Sequence, residues 1–231
     1  MLLAIDTSTA QVGLALCDGG RVGAESIWYS RQHHTVEVAP ALVELLHKCG
    51  ISMADVEALA VALGPGSFTA LRVGLALVKG LALPRKLPIV GIPTLDVLAA
   101  GNPTSKMRLA AVLRAGHGRI ALGWYRASPT AREGKSPSGS GLPAGWKSEG
   151  AAEVTTVQAL ANSINEPTIV AGELTQDERQ RLARKKVNVV LAPLSLCVRR
   201  PAILAEMAWA RWQKGQIDDP RALAPIYLQL N

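Results

Sequence analysis

Residues Gly64-Pro65-Gly66-Ser67-Phe68-Thr69-Ala70-Leu71-Arg72 join an apolar, strand-like run, Ala58 to Leu63, to an Ala/Leu/Gly-rich helical pattern. No other stretch limits the fold as much. Gly64 and Gly66 can take backbone angles closed to residues with a Cβ, and Pro65 stiffens the turn between them. Ser67 or Thr69 is placed to cap the following helix, whose free N–H groups point back at the turn. Such an end either holds an anion or locks a strand to a helix. The local pattern leaves both open.

The order of elements narrows the choice. The chain starts Leu2-Leu3-Ala4-Ile5-Asp6-Thr7-Ser8, a buried-type strand ending in an acid and two hydroxyls. Strand-like runs Val12–Cys17 and Val22–Trp28 follow, separated by an Asp18-Gly19-Gly20 hairpin signal. A helix over about 34–49, the strand at 58–63, a helix at 69–83, a short strand at Pro88–Gly91 and a helix opened by Thr94 complete a half. This βββαβαβα order resembles the unit of the actin-like ATPase and sugar-kinase (ribonuclease H-like) α/β fold. In that fold the Asp-x-Ser/Thr tip of the first strand faces nucleotide phosphates. The resemblance makes Asp6, Thr7, Ser8, Gly64, Gly66 and Ser67 candidate, vestigial phosphate-facing positions.

The first half closes near Gly101-Asn102-Pro103, which predicts lobes at 1–102 and 103–231. The second begins with runs Leu109–Leu113 and Ile120–Tyr125. From Ser128 to Gly150 Pro, Gly and Ser replace periodicity, the mark of an exposed loop. A helix at about 156–164, a strand at Thr168–Ala171, a helix at 176–186 opened by a Thr175/Glu178 capping box, a strand at Val187–Leu191 and a helix at about 201–214 follow. The order is that of a reduced second repeat.

With 231 residues, 48% of them apolar, the chain can bury a real core. No apolar run reaches the roughly 18–20 residues of a membrane span. The opening lacks the basic region of a signal peptide. Cys17, Cys49 and Cys197 are widely spaced without a C-x-x-C, as expected of reduced thiols in a cytoplasmic protein. The net charge of +7 is uneven: residues 1–100 hold 7 Lys/Arg against 8 Asp/Glu, and the remainder 18 against 10. Arg179, Arg181, Arg184, Lys185, Lys186, Arg199 and Arg200 supply much of the excess. A basic half can meet nucleic-acid phosphates or be a solvated helix face, and no aromatic stacking motif interleaves the charges.

Asp6-Thr7-Ser8, Arg31 with His34-Thr35 and Pro40, Gly64-Pro-Gly-Ser-Phe-Thr, Arg72-x-Gly74 and Gly80-Leu-Ala together resemble the TsaB (YeaZ) family. The match is dense over residues 2–100 and thin afterwards, where Pro225-Ile226-Tyr227-Leu228 resembles the family's closing Pro-x-Tyr-Leu. The resemblance implies a non-catalytic partner in bacterial tRNA threonylcarbamoyladenosine synthesis. Its implied partners are a TsaD-type subunit, a TsaE-type ATPase and, through the complex, tRNA, with a homodimer when alone and no membrane. The family's Asp-Ala-Arg-x-x-Glu here reads Arg114-Ala115-Gly116-His117-Gly118-Arg119, two acids replaced by cations, which makes a divalent-metal site hard to build. TsaD carries His-x-x-x-His where this chain has Thr94-Leu95-Asp96-Val97-Leu98.

No metal, catalytic residue or cofactor is therefore expected. Adjacent His33 and His34 diverge on a helix, His34 reading as part of the helix start, and His47 and His117 stand alone. Neither a Gly-x-Ser-x-Gly elbow nor a Gly-Lys-Ser/Thr loop is present. What remains is surface. Val36, Ala39, Val43 and Leu46 recur at helical steps, widened by Leu42 and Leu45, on a helix that Pro40 should kink. Ala70, Gly74, Leu77 and Leu81 line the next helix, with Val73, Ala76 and Gly80 beside them. Glycine costs a helix about 1 kcal/mol relative to alanine, so Gly74 and Gly80 mark places where a close neighbour needs room. A second polypeptide is expected over both helices, as in the four-helix contact the family resemblance implies. A stand-alone ATPase or phosphotransferase using Asp6 and the Gly64–Thr69 turn, and a homodimeric scaffold with another partner, are the alternative readings.

Overall fold

The structure is a computed structural model, and it describes residues 1–30, 33–116, 118–128, 145–184 and 187–228. The described residues divide into two compact units, residues 1–94 with 200–226, and residues 95–199 with 227–228.

In the first unit β1 (Leu2–Asp6) lies at the centre of a five-stranded sheet ordered β3-β2-β1-β4-β5. It pairs antiparallel with β2 (Gln11–Cys17) and parallel with β4 (Ala58–Ala62), and is buried along its whole length. A strand covered on both faces reads as an unbroken apolar run rather than an alternation. The edges are β3 (Val22–Tyr29) and β5 (Ile89–Ile92). Alternate residues Leu3, Ile5, Val12, Leu14, Leu59 and Val61 enter one core with Val38, Leu42, Leu45 and Leu46 of α1 (His34–Lys48) and Leu75 and Val78 of α2 (Phe68–Ala82). The sheet also packs against a late helix, α6 (Pro201–Trp212). There a Cβ on Gly13 would lie 2.9 Å from Pro201 Cγ, so the strand must be bare for the helix to seat.

The second unit repeats this plan. Its six strands run β11-β10-β6-β7-β8, with β9 also on β7. They are β6 (Arg108–Arg114), β7 (Arg119–Ala127), β8 (Trp146–Ser148), β9 (Glu153–Thr156), β10 (Thr168–Gly172) and β11 (Val189–Leu191). Helix α4 (Val157–Ser163) covers one face with α5 (Gln176–Ala183), which opens on the expected Thr175/Glu178 box. α3 (Thr94–Ala100) joins this unit, its Leu98 against Gly172 and its Leu95 against Gly123.

Two expectations change. The boundary falls at 94/95 with a return at 199/200, not at 102/103. The cause is that α3 and α6 each cover the sheet of the repeat that did not precede them in sequence, and the buried Ala202, Leu204, Ala205 and Ala208 of α6 complete the first core. The segment 128–150 is not all loop. β8 closes β7, and buried Trp146 donates its indole N–H to the Asn102 carbonyl at 2.8 Å. Residues 129–144 of that expected loop lie outside the described residues.

Gly13→Val should lift α6 from the sheet and cost about 2 kcal/mol, by analogy with overpacked cores. Urea unfolding against the parent chain measures it, and an unchanged midpoint would refute the seating argument.

Candidate functional site

The three residues at the end of β1 are buried and fully occupied with the fold. The Asp6 carboxylate accepts the Ser8 N–H at 2.8 Å and the Ser8 hydroxyl as well. The Thr7 hydroxyl donates to the Ala70 carbonyl in the first turn of α2, at 2.7 Å. The Ser67 N–H donates to the Ser8 carbonyl, also at 2.7 Å. Gly66 makes that approach possible, because a Cβ would overlap the Ser8 carbonyl oxygen. Gly64, at φ +108°, donates to Thr94 Oγ1 at 2.9 Å and accepts the Thr94 N–H at 2.7 Å. Ile226 closes the turn, its N–H on the Leu63 carbonyl at 2.7 Å. Of the two uses the sequence left open, strand-to-helix locking is the one these bonds perform.

Ser67 holds the N-cap position in extended conformation, but its side chain makes no capping bond, and Thr69 lies inside the helix. The expected side-chain cap is thus replaced by main-chain bonding to Ser8. His34, the expected helix start, brings Nε2 to 2.9 Å from the Thr9 carbonyl, fixing α1 to the β1–β2 turn. Glu37 assists from the next turn. Hydrogen bonds from the Ser30 hydroxyl and the Trp28 indole hold its carboxyl below the ordinary range. Glu37 went unnoticed in the sequence, although its place four residues after His33 was visible.

The outer faces of α1 and α2 differ from their inner ones. Val36 and Val43 are 66% and 67% exposed, and Ala39 is exposed beside them. Val73, Leu77 and Leu81 are half-buried, while Ala76 and Gly80 are exposed, with no heavy atom within 4 Å of where a Gly80 Cβ would stand. Three expected members of the face belong to the interior instead: Leu46 joins the core, and Ala70 and Gly74 are buried. A Cβ on Gly74 would overlap Thr7 Oγ1, with Thr7 Cβ 3.3 Å away. The neighbour that needs this glycine is therefore the tip of β1. Phe68, 54% exposed under the Arg72 guanidinium at 3.7 Å, extends the face; it is the chain's one phenylalanine, and its place inside the Gly64–Thr69 turn motif hides its exposure from the sequence.

In the second unit Arg114 forms an ion pair with Glu178 at 3.1 Å, the acid that also closes the α5 capping box. Arg199 is buried against Glu173, and Arg179 donates to the Ala192 carbonyl at 2.8 Å, while in the first unit Arg200 pairs with Glu25. Arg119, Arg181 and Arg184 have no ion pair among the described residues, and Arg31, His117, Lys185 and Lys186 lie outside them. Asp96, within the stretch compared with His-x-x-x-His, accepts the Tyr125 hydroxyl at 2.7 Å. Burial raises the Asp96 carboxyl above its ordinary value, and the tyrosine's hydrogen bond offsets part of this. Among the described residues no three His, Cys, Asp or Glu side chains converge as metal ligands.

A family model described as TsaD, tRNA N6-adenosine threonylcarbamoyltransferase, matches residues 28–134. The chain is 34% identical over 145 residues to the tRNA threonylcarbamoyladenosine biosynthesis protein TsaB of Bacillus subtilis, covering 63% of each. It is 36% identical over 127 residues to the protein of the same name from Escherichia coli, covering 54% of each. The alignments thus span between about half and two thirds of these relatives. Among solved structures, YeaZ from Pseudomonas aeruginosa superposes with a TM-score of 0.75 at 24% identity, over 98% of this chain and 99% of that one. The ethanolamine utilization protein EutJ of Carboxydothermus hydrogenoformans superposes at 0.53, with 12% identity and 89% of each chain covered. The expected actin-like fold is the fold of this chain.

Gly74→Val should destabilise the isolated chain by about 2–3 kcal/mol, and less in a Thr7→Gly background that vacates the space. Equal costs in both backgrounds would contradict the contact. Asp96→Asn keeps an acceptor for Tyr125 without the charge. An unfolded chain loses the Asp96 proton at the ordinary 3.8, before the folded one does, so stability falls as pH rises through that window. The variant should match the parent below pH 3.8 and gain stability above it, as read by urea melts across pH.

Proposed function

We propose that this chain is a TsaB (YeaZ)-type protein, the accessory, non-catalytic subunit that supports a TsaD-type transferase in tRNA threonylcarbamoyladenosine synthesis. The observation that carries the reading is an apolar strip on the outer sides of α1 and α2: exposed Val36, Ala39 and Val43 with exposed Ala76 and Gly80, flanked by half-buried Val73, Leu77 and Leu81. Small and branched side chains let two helices approach closely, and a strip of this kind in water favours a partner with the same geometry. The TsaD-type family model spans α1 and α2, so the partner this reading names would offer related helices.

The chemistry of the β1 tip supports a role without catalysis. Asp6 is spent on Ser8 and Thr7 on α2, and Arg114 stands paired where the family pattern has an acid. Any effect on transfer would then be a coupling free energy between the interface and the partner's site. The same strip supports a homodimer when the chain is alone. A TsaE-type ATPase and tRNA would join through the complex, in the cytoplasm. No helix of the described residues is long and apolar enough to cross a membrane.

Val43→Glu and Gly80→Phe should each weaken binding to the TsaD-type subunit of the same organism by about 30-fold or more, as central interface positions do. Exposed on the isolated chain, they should leave its stability within about 0.5 kcal/mol. Calorimetric titration with the purified partner tests this, and undiminished affinity in both variants would defeat the assignment.

A further inference from the structure

A groove of about 520 Å³ opens at the far end of α2, between its last turn, the residues leading into β5 and the segment 217–221. We propose that this groove binds an amphiphilic anion, an apolar body carrying one carboxylate. Its volume falls within the roughly 300–1,000 Å³ range of small-ligand sites. Ala82, Leu87 and Ile89 form the buried wall, and the aliphatic rim stands in water: Leu83 is 78% and Ile217 53% exposed.

The groove is held open by bonds independent of any ligand. The Asp218 N–H donates to the Ile89 carbonyl at 2.9 Å, and the Gly91 N–H to Asp218 Oδ2 at 2.8 Å. Arg211 donates to the Gly91 carbonyl at 2.8 Å. These contacts fix segment 217–221 along the free edge of β5, so an occupant need not order its own wall.

Charge decides the sign of the ligand. The lining's carboxylates are already engaged, Asp218 by Gly91 and Arg211, and Asp219 by the Arg221 N–H at 2.9 Å. The lining's lysines are not neutralised. Lys79 Nζ donates to the Leu223 carbonyl at 2.8 Å, which uses one of its three N–H groups. Lys86 has no ion pair among the described residues. It also stands at φ +52°, where glycine or asparagine is the easier choice, and so presents an ammonium at some conformational cost. Apolar walls with two ammonium groups that have no carboxylate partner among the described residues fit a carboxylate on a hydrocarbon body.

The test uses the full chain with 8-anilinonaphthalene-1-sulfonate as fluorescent reporter, displaced by decanoate or by decanol. Decanoate should displace the dye at least about tenfold more effectively than decanol, the margin of charge-assisted hydrogen bonds. Leu83→Ser with Ile217→Ser should reduce dye affinity about tenfold. Lys86→Glu, at an exposed side chain that holds nothing else, should remove the preference for decanoate without affecting folding. Val43→Glu should leave the preference intact, which separates this site from the α1/α2 strip. Equal displacement by the two compounds, no displacement, or unaltered binding in the Leu83/Ile217 variant would overturn the proposal.

Discussion

The close approach of the Ser8 carbonyl to the Ser67 N–H governs what surrounds it. It requires Gly66 to be bare, and it places the first turn of α2 where Thr7 can bond Ala70. Gly74, one turn further, then passes directly over Thr7. The inner face of α2 is thus pinned at two points to the central strand, which fixes the rotation of the helix about its axis. A helix held this way leaves Val73, Leu77 and Leu81 at the margin of the core, where Leu77 and Leu81 touch it with only part of their surface. Their half-exposure follows from the lock at its start, not from any weakness of the core.

Much of this was legible because the strands of the first repeat are unbroken apolar runs and its turns carry glycines in fixed places. Element order, the strand-turn-helix junction and the Thr175/Glu178 box were all readable, and each depends on neighbours in sequence. What stayed hidden depends on neighbours in space. Gly74 and Gly80 look alike in a helical pattern, yet one meets Thr7 and the other meets nothing. Leu46 has the same spacing as Val43 but turns into the core, because a helical step of three residues does not return to the same azimuth. β8 escaped because three residues beside a Pro/Gly/Ser tract carry no period. The exchange of α3 and α6 between repeats could not be read from order alone, since order is the same whichever sheet a helix covers.

Charge gives a second instance of sequence and space disagreeing. The second half carries a large formal excess of cations, but Arg114, Arg126, Arg199 and Arg200 are bound to Glu178, Glu149 and Glu166, Glu173 and Glu25. Arg108 shares Glu149 and lies over Trp124 at 3.8 Å. Arginine's planar fork suits such structural pairing better than lysine's point charge. Buried Arg199 is the clearest case, since without Glu173 it would carry an uncompensated charge in the interior. Pairing leaves the net count unaltered, since the paired acids are already subtracted in it, but it concentrates the field offered to a polyanion at unpaired cations such as Arg119, Arg181 and Arg184.

The duplicated plan leaves the outer sides of α1 and α2 outside the sheet's own packing layers. In each repeat an antiparallel pair leads into parallel strands, and helices cover both faces of the sheet. With α6 on one face and the inner sides of α1 and α2 on the other, the first sheet is complete. Val36, Val43 and Gly80 on the outer sides of α1 and α2 stay exposed among the described residues, while Leu77 and Leu81 still touch the core. The polar groups of the β1 tip are equally self-sufficient, each bonded to the backbone or side chain beside it. A tip closed by its own hydrogen bonds and a helix pair with apolar side chains on its outer side divide the molecule's interactions: the polar groups at the strand end stabilise this chain, and under the proposed function the outer apolar side chains are what a partner would cover.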